Sequence, residues 1–373
     1  MERDSAAGRA FVKFGPMAKT GGIPEKWAFR FGNLEIRPNV YLSPMAGVGD
    51  LPFRRLLRAL AGGRIGLTVS EFVSVEALRN SRTRELKGMR VGAEERPFCL
   101  QLFGGDPEKF AEGVRIASGL GFDALEINAG CPMPKMVRKG GGAQLLRDLP
   151  RLARLVAEAR RACPLPLSLK VRVGWADGSA LDECVRIACG EGLDLLVVHG
   201  RTREQGYAGR ADWGAIARAK RLAAELRAEM PVVGNGDVRT VEDAVARLEE
   251  SGVDGVSSGR GAIHNPWLLA QIADVWEGKP ARSPSLEEQR GLFDLYDRFL
   301  EEDGFTETGR LGRLKLVTAR FLKALPGGAG ARVDLLHAQT PGAYWDLLDS
   351  FFEERRKSGT AGFEPGGLEE LNG

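Results

Sequence analysis

The chain has 373 residues, 43% of them hydrophobic and 28% charged, with a formal net charge of +3. That balance suits a globular protein with room for one large barrel and a smaller domain, and it excludes disordered and fibrous classes. No apolar run approaches the roughly 20 residues of a membrane span, and no apolar signal-peptide core opens the chain, so a cytoplasmic protein without a membrane partner is expected.

Residues 1–30 are Gly-rich and weakly patterned, and they read as an N-terminal extension. From 31 to 278 the chain keeps one beat, in which short aliphatic runs ending in polar or glycine residues alternate with amphipathic helical segments. The predicted strands are Asn39–Leu42, Gly66–Ser70, Pro97–Leu102, Ala124–Asn128, Leu167–Arg172, Leu195–His199, Pro231–Asn235 and Gly255–Ser258. Predicted helices between them include Pro107–Gly119, Leu149–Ala162, Ala180–Gly190, Asp212–Arg227 and Thr240–Ser251. Eight βα units without a G-x-G-x-x-G after the first strand favour a (β/α)₈ TIM barrel over a doubly wound dinucleotide fold. A Pro/Ser linker, Lys279–Ser285, then leads to a small all-helical C-terminal domain at 285–357. Its first helix opens with a capping box at Ser285 and Glu288, and residues 358–373 read as a flexible tail.

A barrel of this kind builds its site from the carboxyl ends of its strands. Those ends deliver Ser43-Pro44-Met45-Ala46-Gly47, Ser70-Glu71, Gln101, Asn128-Ala-Gly-Cys131-Pro132, Lys170 with Arg172, His199-Gly-Arg201, Asn235-Gly236-Asp237 and Gly259-Arg260-Gly261. Glycine-rich turns after strands seven and eight, with Arg260 as a bidentate donor, suit a phosphate. Lys170 and Gln101 suit the polar edge of a flat heterocycle, and a fixed cation there stabilises a reduced flavin. Together these features suggest FMN.

Five cysteines at irregular spacing, with no metal-type pairing, argue against a disulfide framework and against a metal site. Four of them, Cys99, Cys163, Cys184 and Cys189, read as small buried hydrophobes. Cys131 differs, because it sits in a Gly-Cys-Pro turn just past a strand end. No His or Asp flanks it to make a nucleophilic couple, so the simpler role opposite a flavin is a proton donor.

With these residues placed, the chain resembles the tRNA-dihydrouridine synthase family from about Val40 to Leu269, and more weakly to about Glu354. The resemblance rests on Pro44-Met-Ala-Gly47 with Asp50, Gln101-Leu-Phe-Gly104, Glu126-Ile-Asn-Ala-Gly-Cys-Pro132 and Gly140–Leu146. Lys170-Val-Arg-Val-Gly-Trp175, His199-Gly-Arg-Thr-Arg203, Asn235-Gly-Asp237 and Gly259-Arg-Gly-Ala262 complete it. It implies an FMN enzyme, reduced by NADPH, that converts uridine in RNA, most of all tRNA, to 5,6-dihydrouridine. By the same resemblance Cys131 is the general acid. Pro44, Met45, Ala46, Gln101, Lys170, His199, Asn235, Gly236, Asp237, Gly259 and Arg260 hold FMN, and Asn128 and Arg172 contact the flipped uracil. The helical domain is then the RNA-binding module. Independently of the resemblance, a monomer is expected.

Between Thr308 and Val333 there are six basic residues, Arg310, Arg313, Lys315, Arg320, Lys323 and Arg332, and no acidic one, and Arg313, Lys315, Lys323 and Arg332 are the expected RNA contacts. A flavin barrel acting on a free pyrimidine, a synthase acting on ribosomal RNA, and an RNA-binding protein with a vestigial flavin site are the competing readings.

Overall fold

In the computed structural model, which describes residues 22–80 and 89–360, the predicted strands form one parallel ring. The strands are β1 (Val40–Leu42), β2 (Thr68–Val69), β3 (Phe98–Phe103), β4 (Ala124–Ala129), β5 (Leu167–Arg172), β6 (Leu195–His199), β7 (Val232–Asn235) and β8 (Gly255–Ser258). Parallel ladders run β1–β8–β7–β6–β5–β4–β3–β2. The remaining seam is drawn together by a hydrogen bond from the Gly66 N–H to the Val40 carbonyl at 3.2 Å. Only glycine fits at that seam, since a Cβ on residue 66 would lie 1.8 Å from the Pro38 carbonyl oxygen. The strands are almost wholly buried, as expected of a parallel sheet covered by helices.

The outer ring consists of α1 (Leu51–Leu60), α2 (Val75–Arg79), α3 (Pro107–Ser118), α4 (Leu149–Ala162), α5 (Leu181–Gly190), α6 (Trp213–Leu226), α7 (Val241–Ser251) and α8 (Leu268–Trp276). Aspartates cap several of these. Asp50, Asp106, Asp148 and Asp212 each accept a backbone N–H three residues on, which satisfies a donor the helix cannot.

Residues 22–30, expected to belong to an extension, are part of the barrel's underside; residues 1–21 of that extension lie outside the described residues. An antiparallel hairpin pairs Phe29–Phe31 with Leu34–Ile36. Its Phe29 ring lies against Gly255, where a Cβ would come within 2.9 Å of it. Trp27 stacks on Trp276 of α8 at 4.5 Å, and the Trp276 indole N–H donates to Asn39 at 2.7 Å. Three-residue strands and a Gly-containing turn gave too short an alternation to separate this hairpin from loop.

Four helices follow: α9 (Leu286–Glu302), α10 (Glu307–Phe321), α11 (Gly328–His337) and α12 (Pro341–Lys357). The Ser285–Glu288 capping box opens α9. Helix α9 packs on α1, where Tyr296 meets Phe53 edge-on at 6.3 Å and Arg55 lies 4.1 Å over the Phe299 ring. Helix α10 packs on the barrel after β8 through Trp267 and Phe321, 5.8 Å apart. The tail beyond 360 lies outside the described residues.

Candidate active site

Strand register decides which side chains meet. It sets Asn128 beside Lys170, and aligns Arg172, His199, Asn235 and Ser257 across four neighbouring strands. At the carboxyl ends of the strands these residues face a cavity of about 770 Å³, within the range of cofactor sites.

Every residue expected to hold flavin lines this cavity. Pro44, Met45 and Ala46 form one wall, Gln101 and Lys170 its floor, and His199, Asn235, Gly236, Asp237, Gly259 and Arg260 the side beyond β6. Cys131, Asn128 and Arg172 line it too, as do Lys323 and Arg332 of the helical domain. Arg313 and Lys315 do not. The Arg313 guanidinium donates to the Gly47 carbonyl at 2.8 Å and pairs with Asp50, while Lys315 donates to the Ala338 carbonyl at 2.5 Å. Their α10 face turns to the barrel and to α11 rather than to the cavity.

The end of the cavity expected to take a phosphate is organised by Asp237, which sits in the left-handed region at φ 53°. Its carboxylate takes Arg201, Arg239 and Arg260 at 2.8, 3.3 and 3.5 Å and the Ala211 N–H at 2.8 Å. Burial pushes this carboxyl up, but the Ala211 N–H and the arginines outweigh it, so the group is held below its ordinary pKa. Beside it Gly236 has φ 123°, a conformation closed to other residues. Tyr207, half-exposed, lies over the mouth with Arg260 4.8 Å and Arg172 5.6 Å from its ring.

At the floor, the Lys170 ammonium donates to Asn235 Oδ1 at 3.2 Å. Burial, partly offset by Glu126, brings its pKa down to about 8. His199 is held neutral, far below its ordinary pKa, by burial and by the surrounding cations Arg172, Lys170, Arg201 and Arg260. It therefore offers a neutral ring to a ligand.

Cys131 is half-buried at the opposite lip. Its N–H donates to Asn128 Oδ1 at 2.9 Å, and its carbonyl accepts the Ala143 N–H at 3.1 Å. Arg172 braces the same loop by donating to the Gly130 carbonyl at 2.9 Å and, from another nitrogen, to Thr202 and Gly206 at 2.8 Å. The glycine run 140–142 is needed here, since Gly142 has φ 59° and a Cβ on it would lie 2.9 Å from the Cys131 carbonyl. Burial pushes the Cys131 thiol up, with the Met133 N–H and Arg172 partly opposing, so it keeps its proton at neutral pH.

Sequence reasoning missed Tyr207, Arg239 and Arg320 as cavity residues, and gave Glu126 no role of its own. Tyr207 and Arg239 sit inside loops whose course no periodicity reveals. Arg320 reads in the sequence only as one charge of the basic window between Thr308 and Val333.

The donor set fits a flavin mononucleotide. Arginines gather beside the glycine turns of β7 and β8, a buried amide and ammonium lie at the floor, and Pro44, Met45 and Ala46 offer a largely apolar wall. Among the described residues no cluster of three or more His, Cys, Asp or Glu could hold a metal ion, and no helix is long and apolar enough to cross a membrane.

Comparison with known proteins finds relatives in sequence and in fold. The chain is 34% identical over 330 residues to a probable tRNA-dihydrouridine synthase 1 of Synechocystis, covering 87% of this chain and 90% of that one. It is 36% identical to a probable tRNA-dihydrouridine synthase of Rhodobacter capsulatus, covering 87% and 97%, and 33% identical to one of Mycobacterium tuberculosis, covering 93% and 89%. Among solved structures it is similar in fold to a 2-naphthoyl-CoA reductase, with a TM-score of 0.52 at 14% identity, over 70% of this chain. It spans about half of that longer chain, at 53%. Residues 41–310 match the family model for dihydrouridine synthases, and the chain belongs to that family.

Proposed function

We propose that this protein reduces the C5=C6 bond of uridine in tRNA to 5,6-dihydrouridine, with FMN in the barrel cavity and NADPH as the reductant. Family membership makes it a flavin oxidoreductase that acts on RNA. The observation that carries the finer reading is the placement of a protonated thiol, Cys131, on the lip of a cavity whose far side gathers arginines.

FMN, when bound, supplies the hydride for one carbon of the double bond. The neighbouring carbon must receive a proton, and the Cys131 thiol can give one because burial keeps it protonated. Asp237 holds Arg260 where a phosphate would sit, and Gly236 and Gly259 leave the backbone open to it. Lys170 sets a positive charge at the floor, where it favours an anionic reduced cofactor. Asn128 and Arg172 face the space left for an extruded pyrimidine.

The helical domain favours RNA over a free pyrimidine. Arg320, Lys323 and Arg332 line the same cavity as Cys131, so phosphates flanking a flipped nucleotide would meet them. We take the enzyme to act as a cytoplasmic monomer.

The test is incubation with NADPH and unmodified tRNA, followed by mapping of dihydrouridine by mass spectrometry of nuclease fragments. Dihydrouridine at a defined position, lost with Cys131→Ala, supports the reading. A yellow protein that oxidises NADPH yet leaves tRNA unmodified overturns the tRNA assignment.

A further inference from the structure

Glu126 of β4 is 2% exposed and does not line the cavity, yet it begins a hydrogen-bond chain that ends on the cysteine loop. Its Oε1 accepts from Gln101 Nε2 at 2.6 Å. Gln101 Oε1 accepts from Asn128 Nδ2 at 2.7 Å. Asn128 Oδ1 then accepts the N–H groups of Cys131 at 2.9 Å and of Gly130 at 3.1 Å.

The two ends of this chain are polar in one sense only. A carboxylate accepts and a backbone N–H donates, so the two amides between them have a single satisfying orientation. Turning Asn128 over would set its NH₂ against two backbone donors in a buried place, and turning Gln101 over would set its oxygen against a carboxylate. Ser168 Oγ, 3.3 Å from the second Glu126 oxygen, holds that carboxylate in place. The Lys170 charge favours the ionised form of Glu126 against the burial that pushes its carboxyl up.

We propose that Glu126 is a positioning residue for the Cys131 loop, acting through Gln101 and Asn128, and that it leaves Asn128 a donor-only face toward the pyrimidine. The proposal rests on the reading of Cys131 as the acid. With Oδ1 committed to the loop and one Nδ2 hydrogen to Gln101, Asn128 has only its second Nδ2 hydrogen for a ligand. That hydrogen can meet a carbonyl oxygen but not an amino group. Uracil, which carries a carbonyl where cytosine carries an amino group, is thereby the base this position accepts.

The experiment uses the full-length protein. Glu126→Leu removes the first acceptor, and Glu126→Gln keeps an amide oxygen in its place. Alkylation of Cys131 by iodoacetamide, followed by peptide mass spectrometry, reports on the loop without turnover. With Glu126→Leu we expect alkylation to change about tenfold and kcat to fall by about tenfold, with KM for tRNA nearly unmoved. Glu126→Gln should restore most of both. A Glu126→Leu protein that unfolds cooperatively, yet alkylates and turns over like the wild type, overturns the proposal.

If Glu126→Leu does not fold, Asn128→Asp carries the test. Its carboxylate still accepts from the Cys131 N–H but offers no donor to Gln101 or to the base, so kcat/KM falls by about 100-fold. Unchanged kcat/KM overturns the donor-only face. Full activity in Cys131→Ala would sink the acid reading instead, and the alkylation result for Glu126→Leu would still decide the relay.

Discussion

One guanidinium nitrogen of Arg201 donates to both carboxylate oxygens of Asp237, at 2.9 and 2.8 Å, and the Arg201 side chain is wholly buried. Asp237→Asn isolates the charge, because asparagine tolerates the positive φ that Asp237 occupies. Leaving Arg201 without its counter-charge should lower stability by about 3 kcal/mol. Arg260 also loses its partner, so FMN affinity should fall. Urea unfolding and a flavin titration would check both parts, and wild-type values in each would refute the assignment.

Cys131→Ala should cut the rate of dihydrouridine formation by about 10²–10⁴-fold while leaving flavin affinity unchanged. The wild-type pH–rate profile carries a sign. The acid form is the active one and burial raises its pKa, so activity should persist above an ordinary thiol pKa of about 8.5 and fall only beyond it. A fall that begins near neutrality would place the proton elsewhere.

The basic residues of the helical domain should separate into two groups. Lys323→Ala and Arg332→Ala, on the cavity wall, should each weaken tRNA binding and flatten its salt dependence by about one unit of slope. Arg313→Ala should leave that slope alone. It frees Asp50 and the Gly47 carbonyl, so its effect should appear as weaker flavin binding and a lower Tm. Binding measured across a salt series distinguishes the two behaviours.

Lys170 gives a stability signature in the flavin-free protein. Its folded pKa, brought down to about 8 by burial, lies below the unfolded value of about 10.4. Between those values the unfolded chain binds more protons, so this group makes stability rise with pH through that window and disfavours folding below it. Lys170→Met should remove the rise. Urea unfolding of both proteins at the two ends of the window would show it as a difference in slope.

Much of this was legible in the chain itself. Strand ends could be listed because several runs of Val, Leu and Ile stop at a residue that cannot sit in a dry core without a partner, as at Arg172, His199 and Asn235. Those residues converge because parallel register is nearly the same in every βα unit. Helical faces were harder to read. A basic window on α10 says how many charges there are but not which way they turn, and Arg313 and Lys315 turned toward the barrel and α11. Helix α11, rich in glycine and alanine, has almost no apolar stripe and was not anticipated, although it carries Arg332. Glu126 was visible only as part of a motif, since its partner Gln101 is 25 residues away in sequence.

The ring's one unladdered seam lies between β1 and β2, and α1 spans it. Helix α9 lies across α1, and Arg313 ties α10 to the loop that leaves β1. The helical domain thus works as a hoop around the stave where the barrel is least stitched, and that stave carries Pro44, Met45 and Ala46. A protein trimmed to its barrel would lose more than the contacts proposed for RNA: the wall proposed to receive the cofactor would slacken with it.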